Sequence, residues 1–168
     1  LITWPEAFAY LGRHDGKKRI LESLDEGGPI LRRCQELARS LNCDILLGGF
    51  HESVAGDPDK CYNTSVYLDG NGNIKASYRK IHLFDVNIPN GPQLMESKQT
   101  APGTTAVCVD APLGTIGLTI CYDVRFPTLY QRLADMGAIA MTVPSAFTAT
   151  TGACLLYTSP SPRDFEAS

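Results

Sequence analysis

A strand–helix–strand pattern constrains the fold of this chain most strongly. Residues 116–120 and 138–143 are largely apolar runs of the length of buried strands, and the segment between them begins at Pro127 and ends at Gly137. Proline suits the first turn of a helix and glycine its C-terminal end, so this segment is predicted to be helical. A helix that connects two strands in this way places them parallel in one sheet. The pattern therefore predicts an α/β fold.

A second helix is predicted over residues 29–41. Pro29 falls in its first turn, and Asn42 follows its last residue, where a left-handed backbone often ends a helix. Apolar residues recur at helical spacing and predict one buried face. That face consists of Ile30, Leu31, Cys34, Leu37, Ala38 and Leu41.

Three further segments are typical of strands. Residues 45–50 form a continuous apolar run, as in a strand buried on both faces. Residues 61–68 and 73–79 flank an Asp-Gly-Asn-Gly sequence at 69–72, which predicts a β-hairpin. Residues 82–103 are rich in Pro, Gly and Asn without periodicity, and a loop of this length is predicted to be functional.

The composition excludes several classes of partner. The 168 residues are 43% hydrophobic and carry a net charge of −3, which fits one globular domain without a basic surface for nucleic acid or anionic membranes. No apolar run approaches the roughly 20 residues that span a bilayer. The six cysteines match no zinc-binding spacing and lie in apolar segments. We therefore expect reduced thiols and a cytoplasmic location, with the mitochondrion left open.

Cys121 ends the first of the apolar runs, in the sequence GLTICYDVRFP. By residue type alone, a cysteine at the end of a buried strand is usually a packing residue. Its position favours a chemical role, because reactive groups in α/β proteins gather at the carboxyl ends of strands. The N-terminus of the helix that starts at Pro127 is expected to favour a thiolate, and the Tyr122 N–H is a candidate donor to an oxyanion. Both interpretations stay open at this point.

A nucleophilic cysteine needs a base and a group that stabilises negative charge. None of the three histidines has sequence neighbours that mark it as a base. Glu6, in WPEAF, and Lys80, in YRKIH, each lie just past a predicted strand end, as Cys121 does. Taken singly, each fits an exposed charge better than a catalytic group.

In combination, these motifs resemble a known family. WPEAF, YRKIHLFD, GLTICYDVRFP and then PSAFTATTG, in this order, are similar to the conserved blocks of the nitrilase, or carbon–nitrogen hydrolase, superfamily. The resemblance implies a nitrilase-like α-β-β-α sandwich and a Glu6–Lys80–Cys121 triad, with Glu96 as a second glutamate. It also implies amide hydrolysis through a thioester, without a metal or an organic cofactor, in a homodimer or higher homo-oligomer.

The resemblance is greatest to the Nit branch of this superfamily. It implies deaminated glutathione as the small-molecule amide substrate, cleaved to 2-oxoglutarate and Cys-Gly, with 2-oxoglutaramate as the alternative. Arg125 is a candidate contact for a substrate carboxylate, and an ion pair with Asp123 or Asp85 is the alternative. Phe84 and Asn87 are candidate residues of the pocket lining.

The two ends of the chain depart from the family pattern. Residues 1–152 are predicted to be a partial carbon–nitrogen hydrolase domain that lacks the family's first strand and helix. Residues 153–168 begin with ACLLYTSPSPRD, which resembles a translated sequencing adapter, and are predicted to be a non-native tail. A genuine disordered tail is the alternative. A fragment of this kind is expected to be poorly stable, and a catalytically inactive fragment is the alternative to an active amidase.

Overall fold

The computed structural model describes residues 1–12, 14–87 and 93–147, without the side chains of His14 and Asn87. The strands are β1 (Ile2–Thr3), β2 (Ile45–Val54), β3 (Asp57–Leu68), β4 (Ile74–Arg79), β5 (Asp85–Asn87), β6 (Gln93–Met95), β7 (Val107–Ala111), β8 (Gly114–Leu118) and β9 (Ala140–Thr142). The helices are α1 (His14–Lys17), α2 (Pro29–Leu41) and α3 (Pro127–Asp135), and 3₁₀ turns cover Lys18–Ile20, Glu96–Lys98 and Cys121–Arg125. The predicted tail lies outside the described residues.

The strands form two main sheets and a separate hairpin. One sheet has the order β1-β2-β3-β4, in which β1 is parallel to β2 and the other pairs are antiparallel. Strands β1 and β4 therefore run in the same direction, and their C-termini lie at the same end of the sheet. The other sheet has the order β7-β8-β9, with β9 parallel to β8 across helix α3. The predicted strand–helix–strand unit and the predicted hairpin of β3 and β4 are confirmed.

The two sheets pack face to face between two helices. Helix α2 covers one face of the four-stranded sheet, through a cluster of Leu31, Cys34, Ala38, Ile45, Leu47, Phe50, Val66 and Leu68. The other face meets the three-stranded sheet through a cluster that includes Leu46, Tyr67, Ile116 and Leu118. Helix α3 lies on the outer face of that second sheet, where Leu133 approaches the space above Gly117. The order of layers is the α-β-β-α sandwich that the resemblance implied.

Helix α2 has the predicted bounds but a narrower buried face than its sequence indicates. The Glu22 carboxylate accepts hydrogen bonds from the Ile30 and Leu31 N–H groups and so caps the helix. Asn42 ends it in the left-handed conformation, as predicted. Leu37 and Leu41 are 36% and 51% exposed, so their predicted burial is wrong.

Two other predictions need correction. Residues 82–103 are not structureless, because they form the hairpin of β5 and β6 and the 3₁₀ turn at Glu96–Lys98. Strand β8 ends at Leu118 rather than at Cys121, since the chain leaves the sheet before the 3₁₀ turn that starts at Cys121. Among the described residues, no helix has the length and apolar character needed to cross a membrane.

The two ends of helix α2 give a matched test of this packing. We expect Leu31→Ala to lower the free energy of unfolding by about 2–5 kcal/mol, because it leaves a cavity at a side chain that is 1% exposed. Leu41→Ala is expected to change it by less than about 0.5 kcal/mol, as is usual for exposed positions. Urea unfolding followed by circular dichroism measures both. Equal losses in the two variants would show that the assigned face of α2 is wrong.

Candidate active site

Three strand ends bring Glu6, Lys80 and Cys121 together. Glu6 lies in the turn after β1, and Lys80 directly follows β4. Both residues are therefore at the end of the four-stranded sheet that holds the C-termini of these two strands. Cys121 follows β8 and comes from the other sheet. All three side chains line one cleft of about 570 Å³. The site therefore lies where the ends of the two sheets meet.

Lys80 is the centre of the cluster. Its side chain is 2% exposed, and its Nζ donates to Glu6 Oε1 at 2.9 Å and to Glu96 Oε2 at 3.0 Å. Burial lowers the pKa of the Lys80 ammonium, but the charges of the two carboxylates outweigh this effect and raise the pKa overall. Lys80 is therefore a cation at neutral pH, held between two acceptors.

The glutamates are fixed by further donors that the sequence did not reveal. Asn63 Nδ2 donates to Glu6 Oε1 at 2.9 Å and to Glu96 Oε1 at 3.3 Å. The Ala146 N–H donates to Glu6 Oε2 at 3.0 Å, and the Phe84 N–H donates to Glu96 Oε2 at 2.7 Å. Asn63 lies in β3 next to Thr64 and Ser65, so its polar side chain does not stand out in the sequence.

Two glycines in β2 allow this close arrangement. A Cβ on Gly48 would lie 2.1 Å from the Trp4 carbonyl oxygen and 2.3 Å from Pro144 Cβ. A Cβ on Gly49 would lie 2.7 Å from the Ala7 nitrogen. The pairing of β2 with β3 shifts register at these two residues. The loops that carry Glu6 and Ala146 can therefore pack directly on the backbone of the sheet.

Cys121 is a buried thiol with an uncommon backbone conformation. Its φ is 46°, a region that few residues other than glycine adopt, and its N–H donates to the Pro144 carbonyl at 3.0 Å. Burial and the Glu6 charge raise the pKa of the Cys121 thiol to about 12, although Lys80 acts in the opposite direction. Helix α3 begins at Pro127, as predicted, but burial of Cys121 acts against the thiolate that the N-terminus of this helix was expected to favour.

Asp123 holds the turn that carries Cys121. It is 0% exposed, and its Oδ2 accepts hydrogen bonds from the Tyr78 hydroxyl at 2.7 Å and from the Ile120 N–H at 2.9 Å. Its Oδ1 accepts from the His82 N–H at 3.1 Å and lies 2.8 Å from His82 Nδ1. Asp123 thereby joins the end of β4 to the turn after β8. The sequence signal was a carboxylate directly beside a buried strand.

The other predicted residues lie along the cleft. Tyr122 and Phe84 line it and contact each other edge to face, with ring centroids 5.0 Å apart. Arg125 also lines it and takes part in no ion pair between the described residues, so the alternative of a pair with Asp123 or Asp85 is not observed. The Asn87 side chain lies outside the description. In residues 1–12, 14–87 and 93–147, no group of His, Cys, Asp and Glu side chains is arranged to hold a metal ion.

Comparison with known proteins identifies the family. The sequence model of the carbon-nitrogen hydrolase family matches residues 1–159. The chain belongs to this family. A curated relative, the deaminated glutathione amidase of Dictyostelium discoideum, is 46% identical over 90% of the chain and 54% of its own length.

Solved structures of the carbon-nitrogen hydrolase family agree with this fold. The Caenorhabditis elegans NitFhit protein superposes with a TM-score of 0.83 at 37% identity, over 93% of this chain and 38% of its own. Saccharomyces cerevisiae Nit3, a member of branch 10 of the nitrilase superfamily, gives a TM-score of 0.75 at 31% identity, over 90% of this chain and 52% of its own. The resemblance to the Nit branch is confirmed. The chain spans about half the length of the Dictyostelium relative.

The hydrogen bonds of Asp123 give a stability prediction. Asp123→Asn replaces one carboxylate oxygen by an NH₂ group that faces donors, so we expect the free energy of unfolding to fall by about 3 kcal/mol. Asp110→Asn is the matched control, because the side chain of exposed Asp110 accepts from the Thr115 hydroxyl and an amide oxygen can replace that acceptor. Urea unfolding of both variants measures the difference. A loss below about 1 kcal/mol for Asp123→Asn would contradict the assigned role.

His51, also in the cleft, gives a pH prediction. Burial and, more weakly, the Lys17 charge lower the pKa of the His51 imidazole to about 4 from an ordinary value of 6.5. As the pH falls below 6.5, the unfolded chain binds a proton at this residue that the folded chain does not bind until about pH 4. The free energy of unfolding therefore decreases as the pH falls from 6.5 to about 4.

We expect His51 to lower the free energy of unfolding by about 2 kcal/mol as the pH falls from 7 to 5. The measurement is the difference in urea unfolding between the original chain and His51→Gln at the two pH values, since the other titrating groups are common to both. A difference that does not change with pH would contradict the lowered pKa.

Proposed function

We propose that this chain carries the catalytic site of a cysteine-dependent amidase, with Glu6, Lys80 and Cys121 as its triad. The observation that carries the proposal is the buried Lys80 ammonium, which contacts both Glu6 and Glu96 in the cleft that Cys121 lines. The arrangement contains a nucleophile, a carboxylate base and a fixed cation. These are the three parts that acyl transfer to a thiol requires.

The first half of the reaction forms a thioester. Glu6 takes the thiol proton of Cys121 as the sulfur attacks the amide carbonyl carbon, because the high pKa of the thiol leaves little thiolate beforehand. Lys80 and the Tyr122 N–H stabilise the negative oxygen of the tetrahedral intermediate. The carbon–nitrogen bond then breaks, and the amine leaves with the proton that Glu6 received.

The second half hydrolyses the thioester. Glu6 accepts a proton from water, and the hydroxide adds to the thioester carbon. The second tetrahedral intermediate collapses with the Cys121 sulfur as leaving group, which recovers its proton from Glu6. Glu96 acts by positioning Lys80, since its Oε2 accepts from Nζ at 3.0 Å. No step in this scheme uses a metal or an organic cofactor.

We propose deaminated glutathione as the substrate. Support comes from the name of the Dictyostelium relative, which is 46% identical to this chain. Arg125 is a contact for a substrate carboxylate in this proposal, and Phe84, Tyr122 and Asn87 are lining residues. 2-Oxoglutaramate is the competing substrate within the same chemistry. A cytoplasmic location and self-association as a homodimer or higher homo-oligomer stay predictions.

Turnover of the two amides tests the proposed chemistry. The assay uses the 168-residue chain and a completed chain, in which segments of the Dictyostelium relative extend this sequence to the relative's length. We expect the completed chain to release 2-oxoglutarate from deaminated glutathione and to accumulate a Cys121 thioester, visible by mass spectrometry after rapid acid quench. We expect Cys121→Ala to abolish both signals, with a loss of at least about 10³-fold in kcat.

A matched pair of variants separates chemistry from folding. Cys121→Ala removes the nucleophile, whereas Cys34→Ala removes a buried thiol of helix α2 that lies outside the cleft. We expect Cys34→Ala to keep the thioester signal in whatever fraction of the protein is folded. Full turnover by Cys121→Ala, or no turnover of either amide by the completed chain, would overturn the proposal.

A further inference from the structure

The cleft carries more positive charge than the triad uses. Its described lining contains four cationic side chains and two carboxylates, which are Lys17, Lys80, Lys98, Arg125, Glu6 and Glu96. Both carboxylates contact Lys80. Lys98 acts on Asp85, whose pKa is lowered mainly by hydrogen bonds from Ser97 and more weakly by this lysine. Lys17, Lys98 and Arg125 therefore line the cleft without an ion pair among the described residues, and Lys17 and Arg125 are the two that do not act on Asp85.

These two cations occupy different parts of the cleft. Arg125 belongs to the 3₁₀ turn that starts at Cys121. Lys17 ends helix α1, and its charge opposes the rise that burial causes in the pKa of the Cys61 thiol. Cys61 precedes Asn63 by two residues in β3, so the two side chains point to the same face of the sheet. Lys17 therefore lies on the side of Asn63 and Glu6.

His51 connects Lys17 to the triad. It is the cross-strand partner of Asn63, which donates to Glu6 and Glu96, so the two side chains lie about 5 Å apart on one face. Its imidazole lines the cleft and is 8% exposed. Its Nδ1 has no hydrogen-bond partner within the part of the chain that the structure describes. A buried polar atom without a partner is costly and is a typical sign of a site that awaits a ligand.

We propose that Lys17 and His51 form a second subsite, which binds a carboxylate-bearing amine half of the substrate, while Arg125 binds the carboxylate of the acyl half. This proposal rests on the proposed function. Glu6 protonates the leaving nitrogen in that mechanism, so the amine half lies on the Glu6 side of Cys121. From Glu6 the cleft continues past Asn63 to His51 and Lys17.

The size of this extension fits a short peptide rather than ammonia. Two extended residues span about 7 Å, which is enough to pass the step of about 5 Å between the side chains of Asn63 and His51. The terminal carboxylate of a dipeptide amine would then meet the Lys17 ammonium, and its peptide group would meet the neutral His51 imidazole. An amide that releases ammonia makes neither contact. The cleft is therefore suited to an amide with a carboxylate on each side of the scissile bond.

The test compares two neighbouring lysines on two substrates. Lys17→Met removes the charge and keeps the aliphatic stem, and Lys18→Met does the same at a lysine that pairs with Asp59 outside the cleft. In the completed chain, we expect Lys17→Met to lower kcat/KM for deaminated glutathione by about 10-fold or more through KM, as for a lost charged hydrogen bond. The loss for 2-oxoglutaramate is expected to stay below about 3-fold, the scale of long-range charge effects. Lys18→Met is expected to change neither substrate by more than about 2-fold.

Binding of the amine product separates this proposal from the proposed function. Isothermal titration with cysteinylglycine measures binding without catalysis. We expect Lys17→Met to weaken the binding of cysteinylglycine by about 10-fold and His51→Phe to weaken it by about 3-fold. The original chain should bind the methyl ester of cysteinylglycine no more tightly than Lys17→Met binds cysteinylglycine itself. Equal losses on both substrates, unchanged kinetics in Lys17→Met, or ester binding as strong as that of the acid would overturn the subsite. If the chain binds cysteinylglycine in a way that depends on Lys17 but turns over neither amide, only the proposed reaction is overturned.

Discussion

The buried ammonium of Lys80 is the interaction on which the rest of the site depends. Removing an ion from water costs several kcal/mol, and this cost is offset only where good geometry and further hydrogen bonds are present. The two partners come from distant parts of the chain, since Glu6 is 74 residues from Lys80 and Glu96 is 16 residues away. The fold must therefore bring two strand ends of one sheet and the turn after β6 around a single nitrogen. Asn63 is needed in the same place, because it satisfies both carboxylates.

This cluster also affects the protonation of Cys121, the proposed nucleophile. Burial raises the pKa of its thiol most, and the charge of Glu6, one of the two carboxylates that keep Lys80 charged, raises it further. In the proposed mechanism, this cysteine keeps its proton until a substrate carbonyl is present and Glu6 takes that proton. The thiol therefore differs from the low-pKa thiolates of helix N-termini, and its reactivity depends on the position of one carboxylate oxygen.

Sequence reasoning succeeded where the signal is local and failed where it depends on packing. The bounds of α2, the β3–β4 hairpin and the order of β8, α3 and β9 follow from periodicity and turn residues. Asn63 and Asp123 were missed, because their importance comes from partners that only the folded chain brings near. The burial of Cys121, which opposes the thiolate expected near a helix N-terminus, could not be seen in the sequence. Periodicity also could not show that Leu37 and Leu41 are exposed.

The division of the site between two sheets explains why Asp123 is buried. The four-stranded sheet supplies Glu6, Lys80 and Asn63, and the three-stranded sheet supplies Cys121, so the distance from the proposed base to the proposed nucleophile is set by sheet-to-sheet packing. Apolar contacts such as those of Tyr67 with Leu118 hold the sheets together but have no direction. The hydrogen bonds from Tyr78 and His82 to Asp123 are directional and cross the same interface. A charged group at this point therefore fixes the position of the Cys121 turn in a way that apolar packing alone cannot.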